Sequence, residues 1–141
     1  MSDFTISTTM NLPYPEAVEA VRAALADVGF GILTEIDLKA TLKQKLDVDV
    51  EPQVILGACR PPLAYQAIQA EPSIAALLPC NVVVRSAGET TTVVEALDPE
   101  TMVQLAGGAA LETVAAYAKE RLQTALAALT QEATWSSTPR R

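Results

Sequence analysis

Two short apolar segments that contain the two cysteines limit most strongly what this chain can fold into. The first runs from Val54 to Cys59 and is closed by the Pro61-Pro62 pair, while the second runs from Cys80 to Arg85 and follows Pro79. Short apolar runs that are rich in β-branched residues and bounded by prolines are typical of buried strands. We therefore expect each cysteine to lie at one end of a buried strand.

Periodic patterns divide the rest of the chain into strands and helices. Further strands are predicted over Phe4 to Met10, Phe30 to Ile36 and Thr91 to Ala96; helices are predicted over Tyr14 to Val28, Leu38 to Leu46, from Pro61 onward, after Pro99 and from about Ala110 to Ala128. Hairpins and helices alternate without repeats. This order predicts an α+β fold of two layers, with one twisted sheet of about five strands, mostly antiparallel or mixed, and helices packed on it.

Several polar residues and glycines predict local structure. Asp37 is a suitable N-cap for the second helix, and Gly29 lies where a helix ends in the left-handed conformation. Gly107-Gly108 precedes a helix, but no phosphate-binding fingerprint surrounds it, so we expect a simple interruption. The acidic residues between Asp47 and Glu51 lack the glycine and spacing of a calcium loop, which favours a solvated strand edge over a cation site.

The length of 141 residues predicts one domain with one hydrophobic core. We assign residues 1–133 to this domain and residues 134–141, which include Trp135, to a polar C-terminal tail. The beginning of the sequence shows no basic and apolar leader, and no apolar run is long enough to cross a membrane. The prediction is a cytoplasmic protein whose thiols are reduced at rest.

Charge and composition exclude several classes of function. The net charge of −7 disfavours binding to nucleic acid. The chain contains no histidine, which removes the commonest general base and the commonest transition-metal ligand. No cofactor motif is present, and the sequence leaves open whether the protein is an enzyme.

The residues around the cysteines resemble a known family. Gly57-x-Cys59-x-Pro61, the segment from Leu77 to Val84, the later Asp98-Pro99 and the segment from Ile36 to Leu46 are similar to the bacterial and archaeal family called domain of unknown function 302. The similarity covers about residues 5 to 130. It implies a small α+β domain that forms a homodimer, without an assigned activity.

Cys59 and Cys80 are the candidate functional residues, with Arg60 and Asn81 beside them. Cys59 precedes a helix start and adjoins a cation, and both features predict a lowered thiol pKa. Whether the two thiols meet depends on strand direction, which the sequence does not give. Three interpretations remain open: two buried structural thiols, a redox or covalent thiol site, and a soft-metal site that Met102 or a second subunit completes.

The leading hypothesis is a dimeric domain that binds a small ligand or a partner near Cys59, Arg60, Cys80 and Asn81. In it, Arg60 and the helix start near Pro61 would bind an anionic group. The alternative is a thiol-dependent redox protein, or one that handles sulfur or a soft metal, with Cys59 and Cys80 as the reactive residues. The leading hypothesis assigns no metal site and no cofactor, and neither hypothesis involves nucleic acid or a membrane.

Overall fold

The computed structural model describes residues 3–136, and the side chains of residues 3–130. The strands are β1 (Thr5–Met10), β2 (Gly31–Asp37), β3 (Gln53–Cys59), β4 (Cys80–Gly88) and β5 (Thr91–Leu97). The helices are α1 (Tyr14–Asp27), α2 (Leu38–Leu46), α3 (Pro61–Ala70), a 3-10 helix (Pro72–Leu77), α4 (Glu100–Ala106) and α5 (Ala109–Ser136). The predicted α+β class is confirmed.

The five strands form one sheet in the order β1-β5-β4-β3-β2, and all neighbouring strands are antiparallel. Val54, Val84 and Val94 are buried on one face, and this alternation continues along the central strands. The helices α1 and α5 cover that face, because strands with one buried face need an apolar layer opposite them. The other face contains partly exposed residues such as Val83 and Glu95.

Two hydrophobic clusters fill the space between the sheet and the helices. The larger cluster joins the inner face of the sheet to α1 and to the second half of α5; it includes Val21, Leu25, Leu56, Val82, Leu122, Leu126 and Leu129. The smaller cluster lies among α3, the 3-10 helix, α4 and the first half of α5; it consists of Leu63, Ala67, Ile74, Met102, Leu111, Val114 and Ala118. Helix α5 therefore contributes to both clusters.

Local signals in the sequence account for several element ends. The Asp37 side chain accepts a hydrogen bond of 2.9 Å from the backbone N–H of Ala40 and caps α2, as predicted. Gly29 has a φ of 88°, also as predicted. Gly107 and Gly108, with φ values of 76° and 101°, separate α4 from α5. The three glycines adopt backbone conformations with positive φ, which residues with a Cβ disfavour.

Two predicted elements differ from the structure. The segment between Asp47 and Glu51 is an exposed loop instead of a strand edge, and Lys43 forms ion pairs with Asp47 and Asp49 across it. Helix α5 continues past the predicted end at Ala128 to Ser136. The predicted polar tail thus begins within this helix, and its residues 137–141 lie outside the described part of the chain.

An ion pair between Arg85 and Glu95 joins β4 to β5 on the outer face of the sheet, where the Thr5 hydroxyl also donates a hydrogen bond to Glu95. The hydrogen bond from Arg85 is the largest influence on the pKa of the Glu95 carboxyl, and it holds this pKa below its ordinary value even though burial opposes it. A carboxyl with a depressed folded-state pKa stabilises the fold above its unfolded pKa, and this contribution is lost as the pH falls through the folded pKa.

The substitution Glu95→Gln is therefore expected to destabilise the protein at neutral pH and to have a diminishing effect in acid. The difference in unfolding free energy between the wild type and the variant should shrink once the pH falls below about 4.3, the ordinary pKa of glutamate. Urea denaturation of both proteins at several pH values measures this difference in unfolding free energy. Glu112→Gln, at an exposed site on α5, is the control. A difference that does not change with pH would contradict the role of the ion pair.

Candidate functional site

The two cysteines lie at the same end of neighbouring strands. Strands β3 and β4 are antiparallel, and Ala58 pairs directly with Cys80. Cys59 is the next residue of β3, so it lies one position from this pair. The antiparallel arrangement answers the question that the sequence left open, because it brings the end of one strand beside the start of the other. Both thiols are free, and both residues line one cavity.

This cavity lies between the end of the sheet and the smaller hydrophobic cluster. Its volume is about 30 Å³, and the empty space is about 380 Å³ when the mouth that opens to solvent is counted. The wall is mainly apolar; besides Cys59, Arg60 and Cys80 it includes Phe30, Leu63, Ala67, Pro79, Met102, Val114 and Ala118. Three of the predicted site residues therefore share one cavity. Met102, the proposed third sulfur ligand, lines it as well.

The electrostatic environment of the thiols differs from the prediction. Cys80 is only 7% exposed, and burial, with a smaller contribution from the nearby Cys59, raises the pKa of its thiol to about 11. Burial also raises the pKa of the Cys59 thiol. The predicted lowering of the Cys59 thiol pKa is therefore wrong, because removal of the thiol from water disfavours the thiolate and raises the pKa. Both thiols are protonated at neutral pH.

Arg60 interacts with groups other than the thiols. Its Nε donates a hydrogen bond of 3.2 Å to the backbone oxygen of Val28, and its guanidinium carbon lies 5.4 Å from the centre of the Tyr117 ring. Gly29 makes this position possible, since a Cβ there would lie 2.7 Å from Nε of Arg60. The Arg60 guanidinium therefore lies over the Tyr117 ring, while Arg60 also lines the cavity.

A second guanidinium contacts the same ring. The guanidinium carbon of Arg121 lies 4.7 Å from the centre of the Tyr117 ring, and its Nη2 donates a hydrogen bond to the Tyr117 hydroxyl. We call Arg60, Tyr117 and Arg121 the arginine rim. Within residues 3–130, neither arginine of the rim forms an ion pair with a carboxylate. Their two positive charges are thus available to an external anion.

Tyr117 and Arg121 were not predicted as site residues. Their spacing of four residues places them on the same side of α5, which is the only signal of a shared role that the sequence contains. Their approach to Arg60 depends on the packing of α5 against α3, and a single helix cannot reveal it.

Asn81 lies apart from the other predicted site residues. It pairs with Gly57 in the sheet, is exposed, and lines a shallow depression together with Phe4, Arg85 and Glu95 on the outer face. Successive residues of a strand point to opposite faces, so Asn81 cannot face the cavity that Cys80 lines.

Donor groups for hard metal ions are not assembled in the described part of the chain. Residues 3–130 contain no group of three or more Cys, Asp or Glu side chains placed to hold a metal ion, and the chain has no histidine. The acidic loop between Asp47 and Glu51 is consistent with this result, because a lysine pairs with two of its carboxylates.

Comparison with known proteins identifies the family. The model of the domain of unknown function DUF302 matches residues 6–129, which is nearly the whole chain. The chain belongs to the DUF302 family. The resemblance predicted from the cysteine segments is confirmed, together with its extent.

A solved structure is similar to this DUF302 chain over most of its length. It is the crystal structure of an uncharacterized conserved DUF302 protein from Bacillus stearothermophilus, with 26% sequence identity and a TM-score of 0.82. The match covers 91% of the present chain and 99% of that chain. No curated protein shows significant similarity. Within the described residues of this DUF302 domain, no helix combines the length and apolar character needed to cross a bilayer.

Proposed function

We propose that this DUF302 domain binds a small aliphatic carboxylate, with the carboxylate on the arginine rim and the short aliphatic end in the cavity. The observation that carries the proposal is the pair of guanidinium groups, Arg60 and Arg121, that contact one aromatic ring without a carboxylate partner among the described residues. The chain has a net charge of −7, so its carboxylates outnumber its cations and would ordinarily pair with them.

The geometry of the rim suits a planar anion. Among the N–H groups of Arg60, only that of Nε donates a hydrogen bond to a described residue, the backbone oxygen of Val28. The remaining N–H groups of a guanidinium form a rigid fork that matches the two oxygens of a carboxylate. The Tyr117 ring holds both guanidinium groups in place, which reduces the conformational entropy that the arginines lose when a ligand binds.

The size of the cavity limits the ligand. Typical sites for small molecules occupy about 300–1,000 Å³, and a water molecule takes up about 30 Å³ in the liquid. The cavity volume of about 30 Å³ therefore accepts only the end of a short chain, and the rest of the ligand would extend into the larger space of about 380 Å³, which is partly open to solvent. The apolar wall favours an aliphatic end over a polar one.

The redox alternative has less support. A nucleophilic or redox-active cysteine acts as the thiolate, which a lowered pKa would favour. Burial raises the pKa of both thiols, so at rest neither Cys59 nor Cys80 has this property. The close approach of the two side chains agrees equally well with a binding cavity that they line.

The proposal predicts that butyrate binds the purified protein and that the arginine rim determines its affinity. Charge-assisted hydrogen bonds contribute about 1.5–3 kcal/mol each, so Arg60→Gln or Arg121→Gln should weaken butyrate binding roughly tenfold or more. Isothermal titration calorimetry measures the affinity, and amide chemical shifts locate the site near Ala58 and Ala118. Butylamine, which has a similar chain but the opposite charge, should not bind.

The matched control is Arg22→Gln on α1. Arg22 is also partly exposed, but it forms an ion pair with Glu35 and is not one of the two guanidinium groups that contact the Tyr117 ring. This variant should bind butyrate as the wild type does. Equal affinities for the wild type and both rim variants, or butyrate-induced shifts confined to other regions, would refute the proposal.

The expected homodimer and the expected cytoplasmic location stay predictions. Sedimentation at micromolar concentration would test the first. A dimer is not needed to form the cavity, since all the residues named in its wall belong to one chain.

A further inference from the structure

Three residues that contain sulfur line the same small cavity. Cys59 comes from the end of β3, Cys80 from the start of β4 and Met102 from α4. Cys80 and Met102 are 7% and 4% exposed, so the protein largely shields both from solvent. These residues are far apart in sequence, and the fold alone brings them to one wall.

The structure assigns to this cavity a second capacity: we propose that Cys59, Cys80 and Met102 bind one copper(I) ion. The ion and the aliphatic end of a carboxylate would need the same space of about 30 Å³, so the two ligands would compete for it, but copper(I) binding does not depend on carboxylate binding. Thiolate and thioether sulfur are soft ligands that select copper(I) among the common metal ions. Two or three such ligands complete the usual coordination of copper(I).

The other properties of the cavity agree with this ion. An inner volume of about 30 Å³ is large enough for a single ion and too small for a complete organic molecule. The wall contains no carboxylate, which disfavours calcium and magnesium. Zinc prefers four strong ligands of the cysteine, histidine or carboxylate type, and the cavity provides only two.

The charges and protons balance without a change of oxidation state. The two thiols each lose a proton to solvent, two copper–sulfur bonds form, and the Met102 thioether adds a third, neutral ligand. Copper remains in the +1 state. Two thiolates and one copper(I) ion leave a net charge of −1, which the Arg60 guanidinium in the same wall offsets.

The test is an anaerobic titration of the fully reduced protein with copper(I), in competition with a chromogenic copper(I) chelator such as bicinchoninate. We expect one copper(I) ion per chain and retention of the ion against the chelator. Replacing groups around a metal commonly lowers its affinity about 10–100-fold, and Met102→Leu and Cys59→Ala should each have an effect at least this large. The copper(I) titration contains no butyrate or other aliphatic carboxylate, and the butyrate titration contains no metal, so the two proposals can fail separately.

Met102→Leu conserves side-chain volume and should fold, since such exchanges usually cost less than about 1.5 kcal/mol. Its matched control is Met10→Leu, at a fully buried methionine in the larger hydrophobic cluster, which should bind copper(I) like the wild type. Failure to retain copper(I) against the chelator would overturn the proposal. So would equal affinities of the wild type and Met102→Leu, or a ratio of one ion per two chains.

Discussion

Replacing Leu122 with alanine is expected to lower the free energy of unfolding by about 2–5 kcal/mol, the usual cost of removing a fully buried leucine. Leu122 is 0% exposed and lies in α5, where it belongs to the larger hydrophobic cluster. Alanine would leave a cavity between this helix and the sheet, and close-packed neighbours only partly collapse into such a space. Denaturation in urea, followed by circular dichroism, measures the change.

Leu105→Ala is the matched control for this substitution. Leu105 is a leucine of the neighbouring helix α4, but it is 69% exposed. Surface substitutions usually change stability by less than about 0.5 kcal/mol. If the two leucine variants were destabilised equally, the position of α5 against the sheet would be incorrect.

Replacing Gly57 with alanine is expected to destabilise the protein by about 1–3 kcal/mol, the range for overpacking a filled site. A Cβ at position 57 would lie 2.1 Å from Oγ1 of Thr34 and 2.9 Å from Cγ of Pro79. Both distances are far below van der Waals contact, so the strand β2 or the Pro79 ring would have to move. Thermal and urea denaturation measure the effect.

Two further variants isolate the cause. Gly31→Ala adds a Cβ at another strand position, where the nearest atom is the backbone oxygen of Cys59 at 3.9 Å, and it should change stability little. Thr34→Ala removes the Oγ1 atom and should recover part of the stability lost in Gly57→Ala. If Thr34→Ala recovers none of it, the steric explanation is wrong.

Much of the fold follows from local patterns in the sequence. Short apolar runs rich in β-branched residues predict β3 and β4. The Asp37 cap and the left-handed conformation of Gly29 follow from residue types that act within one helical turn. The cysteine segments, together with Asp98-Pro99 and the segment from Ile36 to Leu46, also predict the family that the match over residues 6–129 confirms. These features depend on residues close together in the chain, which is why they can be predicted.

The candidate site was only partly predictable, because it depends on contacts between distant segments. Cys59 and Cys80 share a cavity because β3 pairs with β4. The sequences of the two strands do not indicate whether the strands run parallel or antiparallel. Asn81 was grouped with Cys80 as its neighbour, yet the alternation of a strand separates them. Tyr117 reaches Arg60 through helix packing alone.

The error in the predicted thiol pKa has a similar origin. A helix start and a neighbouring cation can be recognised in the sequence, and both favour a thiolate. Burial acts in the opposite direction, and its extent is known only once the surrounding helices are in place. Burial raises the pKa of Cys59, the thiol to which the prediction applied, and it raises the pKa of Cys80 to about 11.

Helix α5 has residues in both hydrophobic clusters, and the cavity wall includes Val114 and Ala118 from its first half. The same helix continues without interruption to Leu122 and Leu129 in the larger cluster. Anything that binds only the folded form stabilises the whole cooperative unit by mass action. A ligand that binds in the cavity against α5 should therefore raise the melting temperature of the entire domain. Measuring this temperature in the presence of metal ions and of short aliphatic acids would detect binding at the cavity.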